Sequence, residues 1–253
     1  MTEAINSLRN IGLVGHGGGG KTSLAEALLF DAGAIKRLGS VDDGSSVMDF
    51  EPEEVRRKVS ISTAFHQYAW KKHRVNVIDA PGDANFFSDA RTCLQAADAA
   101  VVVIEAIDGV KVQTEQAWEF ADQLKMPRVV FINKMDRERA DFFQTFKDVA
   151  ETFTPKPILL QVPIGEEEDF KGVVDLISQK AYLYGEGGKS TVGEIPAEIQ
   201  DQVESEREAL IENIAEADDE LLEKYLEGNV LTDEELMQAL RTGTLERAFV
   251  PVL

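Results

Sequence analysis

The stretch from Gly15 to Thr22 constrains the fold of this chain more than any other. It follows the pattern G-x-x-x-x-G-K-T and lies between a short apolar run, Ile11 to Val14, and a helix-forming segment that begins at Ser23. This setting predicts a phosphate-binding loop, because glycines let backbone N–H groups point at phosphate oxygens and a helix N-terminus adds partial positive charge. The residues expected to line the phosphates are Gly15, His16, Gly17, Gly18, Gly19, Gly20, Lys21, Thr22 and Ser23.

Two side chains of this loop carry chemistry. Lys21 is expected to supply positive charge to the β- and γ-phosphates, and Thr22 is expected to offer its hydroxyl to Mg²⁺. A flexible glycine linker followed by a chance Lys-Thr pair is the alternative interpretation. The apolar strand before the loop and the helix after it favour phosphate binding.

The second motif is Asp79-x-x-Gly82, which follows the apolar strand Val75 to Ile78. A carboxylate at the end of a strand can hold Mg²⁺ through the water shell of the ion, since Mg²⁺ prefers oxygen ligands. Gly82 can present a bare backbone N–H to a γ-phosphate. An ordinary turn containing Pro-Gly is the alternative, and such turns are common.

The third motif, Asn133-Lys134-Met135-Asp136, follows the strand Val129 to Ile132. The carboxylate of Asp136 accepts hydrogen bonds, so it can pair with the two adjacent N–H donors that guanine presents and adenine lacks. The alkyl stem of Lys134 can cover the base. A helix N-cap is the alternative role for Asp136. Together the three motifs predict GTP hydrolysis by a positioned water, without a covalent nucleophile.

Strands that alternate with helices predict an α/β fold with a doubly wound, mostly parallel sheet. Ligands of such sheets lie at the carboxyl ends of the strands, where all three motifs fall. A long mobile loop is expected over Ala34 to Glu54, followed by the basic cluster Arg56-Arg57-Lys58. The other predicted elements are a hairpin of Ser62 to Trp70 with Val75 to Ile78, helices over Asp89 to Ala97, Thr114 to Lys125 and Arg137 to Phe153, and strands over Ala99 to Ile104 and Val129 to Ile132.

From Leu159 the pattern changes to short strands and acidic helices. The predicted elements are strands within Val162 to Tyr184, a loop over Gly185 to Gly193, helices that begin near Pro196, Asp218 and Thr232, and a strand over Phe249 to Leu253. The starts at Asp218 and Thr232 rest on capping residues. In the second helix Leu222 and Leu226 are expected to face inward, and Gly243 is expected to end the third.

Composition limits the remaining classes of protein. The 253 residues include no apolar run long enough to span a membrane, and Met1 to Arg9 lacks the form of a signal peptide. Cys93 is the only cysteine, so no intrachain disulfide is possible, and with three scattered histidines a Cys/His zinc site is excluded. A cytoplasmic protein is therefore expected.

Negative charge is concentrated in the last quarter of the chain. The formal net charge is −20, and residues 194–247 contain 17 acidic but only four basic residues. Such a surface repels naked nucleic acid and suits a basic or apolar protein partner. A solvated helical surface kept soluble by its charge is the alternative.

With these motifs in place, the chain resembles the N-terminal part of the bacterial translation elongation factor G family, and more narrowly its elongation-factor-G-like paralogues. The resemblance covers essentially the whole chain. It rests on the segments Asn10 to Leu24, Leu38 to Phe50, Arg57 to Thr63, Val77 to Phe86, Asp108 to Val110, Gln113 to Glu115, Asn133 to Arg137, Pro163 to Gly165 and Phe170 to Leu176.

The resemblance implies a GTPase core over residues 1–158, an inserted acidic α+β subdomain over 159–245, and a strand over 246–253 that returns to the core. It also implies binding of GTP or GDP with Mg²⁺. The implied partner is the ribosome, with large-subunit RNA near the switch loops and the stalk protein at the insert. No membrane or free DNA partner is implied, and the chain is expected to be monomeric.

The same match implies roles for individual residues. Lys21 and Thr22 fall at the phosphate and Mg²⁺ positions, and Ser60 falls where the first switch has its Mg²⁺-binding threonine. Asp79 and Gly82 belong to the second switch. The implied Mg²⁺ ligands are Thr22, Ser60 and Asp79, the implied guanine-reading residues are Asn133, Lys134 and Asp136, and the implied catalytic residues are Lys21, Gly82 and Asp83.

Four features depart from the family pattern. Asp83 replaces the histidine that usually positions the attacking water; its carboxylate, with a reference pKa of about 3.9, is expected to be repelled by phosphate and to slow hydrolysis. Ser60 replaces a threonine and loses its methyl group, and Gly18 replaces an aspartate. The chain ends at Leu253, before a loop that completes the base pocket, so an N-terminal fragment with weakened nucleotide affinity and no translocation of its own is expected.

Three alternatives to a ribosome-associated GTPase domain remain open at this point. The first is a ribosomal-protection protein of the tetracycline-resistance type, which shares the early motifs. The second is a regulatory GTP-binding switch that hydrolyses little, as Asp83 would permit. The third is a protein-interaction role for the acidic insert alone.

Overall fold

The computed structural model describes residues 5–185 and 189–253. The chain divides into two units by its internal contacts: Met1–Glu105 with Val110–Asn133, and Ala106–Gly109 with Lys134–Leu253. The mixed α/β fold is confirmed, with a mostly parallel central sheet and a separate antiparallel sheet. Among the described helices, none is both long enough and apolar enough to cross a bilayer.

The first unit is built on five strands in the order β2-β3-β1-β4-β5. The β2 and β3 strands form the predicted antiparallel hairpin, and the other neighbouring pairs are parallel. The strands are β1 (Leu8–Val14), β2 (Ala64–Trp70), β3 (His73–Asp79), β4 (Ala99–Glu105) and β5 (Arg128–Asn133), and the helices are α1 (Lys21–Asp31), α2 (Pro52–Arg57), α3 (Ser88–Ala96) and α4 (Val112–Gln123).

The core of this unit explains why the site lies where it does. Leu13 of β1, Val77 of β3 and Leu29 of α1 are fully buried in one cluster. Parallel strands bring their carboxyl ends to one edge, so Val14, Asp79, Glu105 and Asn133, the last residues of β1, β3, β4 and β5, lie at the same edge. Val102 to Ile104 of β4 are fully buried, as an apolar strand covered on both faces should be.

The second unit combines a parallel strand pair with a four-stranded antiparallel sheet in the order β10-β9-β8-β7. Short 3₁₀ turns occur at Glu167–Asp169 and Ala197–Ile199. The elements are β6 (Pro157–Leu159), β7 (Gln161–Ile164), β8 (Gly172–Asp175), β9 (Lys180–Tyr184), β10 (Ser190–Gly193), β11 (Val250–Val252), α5 (Phe142–Thr152), α6 (Gln200–Ala215), α7 (Asp219–Leu226) and α8 (Asp233–Glu246).

Two predicted irregular segments contain regular structure. The short helix α2 begins inside the predicted loop over Ala34 to Glu54, where Glu51 and Glu54 form a reciprocal capping box. Ser190–Gly193, predicted as part of a loop, pairs with Ala181 to Tyr184 as strand β10. Residues 186–188 of that predicted loop lie outside the described residues. Both misses are elements of six residues or fewer, which are too short to show a clear period.

Three helix details were predicted incorrectly. Helix α5 begins at Phe142 rather than Arg137, because the Asp141 carboxylate accepts the backbone N–H of Gln144 at 2.9 Å and caps the helix there. Leu226 is 75% exposed, and Leu221 is the buried leucine of α7. Asp218 caps α7 as predicted, as does the Thr232 box for α8.

Gly243 does not end α8 but lies inside it, at a close contact. A Cβ at Gly243 would lie 2.5 Å from the ring of Phe249, which is buried. The absent side chain therefore makes room for the ring. The helix ends at Glu246, and the next residue, Arg247, is its C-cap with a left-handed φ of 62°.

We expect Gly243→Ala to lower the free energy of unfolding by roughly 1–2 kcal/mol. The steric cost of placing the new methyl against the Phe249 ring should exceed the stabilisation from the higher helix propensity of alanine. Urea unfolding measures the change. In a Phe249→Leu background the same substitution should be neutral or stabilising. An equal loss in both backgrounds would contradict the proposed overlap.

Candidate functional site

The phosphate loop joins β1 to α1, and its lysine points back into it. Lys21 is buried, and its Nζ donates to the carbonyl oxygens of His16 at 2.8 Å and Gly15 at 3.2 Å. Burial lowers the pKa of Lys21, and the nearby carboxylate of Asp79 acts in the opposite direction. The ammonium therefore lies inside the loop, where it can reach phosphate oxygens. Gly17, Gly18 and Ser23 are exposed.

Gly82 lies directly against this loop. A Cβ at Gly82 would lie 2.3 Å from Nζ of Lys21 and 2.6 Å from the backbone nitrogen of Gly17. No larger residue fits at this position without displacing the lysine or the loop. The predicted first and second motifs are thus adjacent in the structure.

Four oxygen-bearing side chains converge beside the first turn of α1. Oγ1 of Thr22 donates to Oδ2 of Asp79 at 2.6 Å and lies 3.1 Å from Oγ of Ser60. Oγ of Ser60 in turn donates to Oδ1 of Asp49 at 2.9 Å. The three predicted Mg²⁺ ligands are therefore brought together. Sequence reasoning missed Asp49, which is buried behind Ser60 and has no spacing signature of its own.

The chemistry of this cluster fits Mg²⁺. Oδ1 of Asp79 is buried and has no hydrogen-bond partner among the described residues. Such an orphaned carboxylate oxygen beside two hydroxyls suits a hard cation that prefers oxygen and retains several waters. The described part of the chain holds no cluster of three or more His, Cys, Asp or Glu residues suited to a metal ion. An ion here would be held by the Asp79 carboxylate and the two hydroxyls, with water and phosphate oxygens completing its coordination.

Burial raises the pKa of Asp79 to about 6, against the opposing effects of Lys21 and the Thr22 hydrogen bond. A carboxyl whose pKa is raised on folding binds more protons in the folded state. Stability is therefore lost as pH rises from the unfolded value near 3.8 through about 6. At pH 7 and without metal, the ionised carboxylate lowers the free energy of unfolding by up to about 3 kcal/mol.

We accordingly expect Asp79→Asn to stabilise the nucleotide-free protein at pH 7 by roughly 1–3 kcal/mol and to have little effect at pH 4. Chemical unfolding without Mg²⁺ at several pH values measures this. Asp31→Asn, an exposed change in α1, is the control and should stay within about 0.5 kcal/mol. Destabilisation by Asp79→Asn that is the same at every pH would contradict the expectation.

The third motif, Asn133 to Asp136, begins at the end of β5. In the first unit, Nδ2 of Asn133 donates to the carbonyl oxygen of Gly19 at 3.0 Å, which ties the third motif to the phosphate loop. In the second unit, Lys134 has a left-handed φ of 62°, and its carbonyl accepts the backbone N–H of Arg137 at 3.2 Å. The side chain of Asp136 is 67% exposed on this turn, with its carboxylate 3.8 Å from Nε of Arg137.

Asp83 is half-buried and held by its neighbour. Its Oδ1 accepts the backbone N–H of Asn85 at 2.9 Å and the side-chain amide of Asn85 at 2.8 Å. The carboxylate thus closes the turn that leads toward α3. The role that was predicted for Asp83 in slowing hydrolysis stays a prediction.

His16 is packed into the loop as a neutral ring. Burial, with the nearby charge of Lys111, lowers its pKa to about 4. Nε2 lies 3.5 Å from Oε1 of Glu105, which also contacts Nζ of Lys111 at 3.2 Å. Sequence reasoning missed these two partners. The position of Glu105 at the carboxyl end of β4 was a usable signal, because ligands of such sheets lie at that edge.

Comparisons with known proteins agree with this geometry. Residues 6–243 match the family model "Elongation factor Tu GTP binding domain". The chain is similar to elongation factor G of Thermotoga petrophila, with 40% identity over 251 residues, which is 98% of this chain and 36% of that protein. It is also similar to a Thermus thermophilus protein of known crystal structure, with a TM-score of 0.90 and 37% identity over 96% of this chain and 36% of that one. The chain thus spans about a third of the length of these relatives.

Proposed function

Because the chain belongs to the family of elongation factor Tu GTP-binding domains, we propose that it is the GTP-binding part of an elongation-factor-G-like translational GTPase and that it hydrolyses GTP to GDP and phosphate. The observation that carries the proposal is the meeting of Lys21, Gly82 and the Thr22–Asp79–Ser60 cluster at one edge of the sheet. This arrangement combines a phosphate-binding loop with an acidic, hydroxyl-rich site for the metal.

The proposed chemistry is positioning and charge stabilisation rather than covalent catalysis. Lys21 neutralises charge on the β- and γ-phosphates, and the N–H of Gly82 binds a γ-phosphate oxygen. Thr22, Ser60 and Asp79 would hold Mg²⁺, which when bound neutralises phosphate charge. Asp136 would accept the two N–H groups of guanine, with Asn133 and Lys134 supporting the base.

A weakly hydrolysing switch is the second candidate function. It is favoured by Asp83, whose carboxylate has no proton to donate when ionised and is held by Asn85. We propose that hydrolysis is slow for this reason. Single-turnover hydrolysis with and without ribosomes separates the two candidates: stimulation by ribosomes supports a translational GTPase, and its absence supports the switch.

The nucleotide proposal is tested by titrating fluorescent GTP, GDP and ATP analogues with and without Mg²⁺. Guanine nucleotides should bind at least about 10²-fold more tightly than the ATP analogue, since adenine lacks the two adjacent N–H donors that the Asp136 carboxylate would accept. Mg²⁺ should tighten binding of the GTP analogue. Equal affinities for the GTP and ATP analogues would contradict guanine recognition.

We further propose that the partner is the ribosome, as the name of the Thermotoga relative suggests. Residues 194–247, with 17 acidic residues against four basic ones, offer a surface for a basic or apolar protein such as the stalk protein, and the switch loops would face ribosomal RNA. Co-sedimentation with ribosomes that contain or lack the stalk protein tests this. Binding that is unaffected by stalk removal would contradict the assignment of the acidic surface.

A further inference from the structure

Helix α1 carries a buried carboxylate one turn beyond the Mg²⁺-binding threonine. We propose that this residue, Glu26, is a positioning residue: it holds the segment Ser46–Met48 and, through that segment, places the hydroxyl of Ser60 beside Thr22. The inference rests on the proposed function, because it assigns Glu26 to the metal site of the GTPase. No role in the site followed for Glu26 from the sequence motifs.

Glu26 is fully buried and accepts three hydrogen bonds on one oxygen. Oε1 of Glu26 receives Oγ of Ser46 at 2.8 Å, the N–H of Val47 at 2.5 Å and the N–H of Met48 at 3.2 Å. These donors lie 20 to 22 residues farther along the chain. Three donors that converge on one buried oxygen fix the segment to the helix, because removing their acceptor would leave buried polar groups without a partner.

The other oxygen of Glu26 shows how closely the loop fits around it. Oε2 is buried without a hydrogen-bond partner among the described residues, and a Cβ at Gly39 would lie 2.4 Å from it. Between these contacts the loop closes on itself, as the N–H of Ser45 donates to the carbonyl of Ser40 at 3.0 Å. Glu26 therefore holds the Ser46 end of this excursion by hydrogen bonds, and Gly39 at the other end packs closely against its second oxygen.

The path from Glu26 to the metal site is short. Met48 is followed directly by Asp49, whose Oδ1 accepts the hydroxyl of Ser60 at 2.9 Å. Ser60 lies 3.1 Å from Oγ1 of Thr22. Thr22 and Glu26 are four residues apart in one helix, so they lie on the same face. That face therefore presents the hydroxyl of Thr22 and also fixes Ser46–Met48, the segment next to the residue that binds the hydroxyl of Ser60.

A second carboxylate holds the two residues directly after Ser60. Oε1 of Glu54 accepts the N–H groups of Ile61 at 2.8 Å and Ser62 at 2.9 Å. These contacts hold the chain just beyond Ser60, whereas Glu26 ties Ser46–Met48 to helix α1, which follows the phosphate loop. A carboxylate buried only for packing would be unfavourable compared with an apolar side chain of similar volume. Its three donors give Glu26 a positional role.

The first arm of the test measures the segment without nucleotide. Arg56, Arg57 and Lys58, which lie between this segment and Ser60, are exposed trypsin sites. We expect Glu26→Ala to raise the cleavage rate there by about tenfold or more, Glu26→Gln to have a smaller effect because its amide oxygen still accepts, and Asp31→Asn to match the wild type. Unchanged cleavage in both Glu26 variants would overturn the inference.

The second arm measures the metal site. At a saturating concentration of a non-hydrolysable GTP analogue, Glu26→Ala should raise the half-saturating Mg²⁺ concentration by about tenfold. Glu26→Gln should have a half-saturating Mg²⁺ concentration close to that of the wild type. GDP affinity without Mg²⁺ should stay unchanged in both, which general destabilisation would not allow. The inference would be overturned if Glu26→Ala left the Mg²⁺ dependence unchanged, or if it weakened GDP binding without Mg²⁺ by the same factor. If the wild type bound no GTP analogue, the proposed function would fail, and the cleavage arm would still decide whether Glu26 holds the segment.

Discussion

Replacing Asp136 with asparagine is expected to weaken GDP binding by roughly 10²-fold or more and to abolish the preference for GDP over IDP, which lacks the exocyclic amine. An ionised carboxylate can accept both N–H bonds of guanine, and a hydrogen bond to a charged group contributes about 1.5–3 kcal/mol. The asparagine amide places a donor where one guanine N–H needs an acceptor. Two such losses correspond to at least two decades in affinity.

The geometry at Asp136 suits this substitution. Its side chain is 67% exposed on a turn that the Lys134 carbonyl and the Arg137 N–H close, so folding should tolerate the change. Fluorescence titration with GDP, IDP and ADP measures affinity and selectivity together. Glu138→Gln removes the same charge from an exposed neighbour and should leave both unchanged. If Asp136→Asn matched this control, the guanine-reading assignment would be wrong.

The parts of the site that could be predicted are those in which sequence spacing fixes geometry. Lys21 and Thr22 belong to the strand–loop–helix connection itself, and Asp79 ends a strand that pairs in parallel with β1. Because parallel strands share one carboxyl edge, the meeting of Thr22 with Asp79 follows from the fold class alone. Gly82 follows too, since it lies three residues beyond Asp79.

The residues that were missed depend on contacts between segments without a regular period. In the sequence, Glu26 is indistinguishable from an ordinary polar residue of an amphipathic helix. Its role depends on the loop after Gly39, which folds over it in the structure. Asp49 acquires a role only when Ser60 donates to it, 11 residues later. Such pairings are set by the path of an irregular loop, which neither hydrophobic periodicity nor strand order determines.

The helix errors have a different physical cause. Arg137 to Ala140 has acceptable helix propensity, but the strong side-chain cap at Asp141 starts the helix later. Leu226 has the right spacing for an inward face, yet it is the last residue of an eight-residue helix and is exposed. Leu221, near the start of the same helix, supplies the buried contact. Tertiary contacts and caps therefore override propensity near the ends of elements.

Replacing Asp83 with histidine is expected to raise ribosome-stimulated single-turnover GTP hydrolysis on the order of 10²-fold. An ionised carboxylate at this position, within about 4 Å of a phosphate oxygen, would meet a repulsion on the order of 4 kcal/mol per unit charge at an intermediate dielectric. A histidine removes that repulsion and supplies a group able to position a water or exchange its proton near neutral pH. Such groups contribute about 10² to 10⁴ in rate.

Asp83→Asn separates the two parts of this effect. Its carbonyl oxygen can still accept the backbone and side-chain N–H groups of Asn85, so the turn is kept while the charge is lost. A few-fold gain in Asp83→Asn with a much larger gain in Asp83→His means that both the charge and the missing imidazole limit hydrolysis. Equal gains would assign the whole effect to charge. Rates equal to wild type in both variants would show that Asp83 is held clear of the reacting phosphate, and the slow-hydrolysis proposal would fail because its cause is absent.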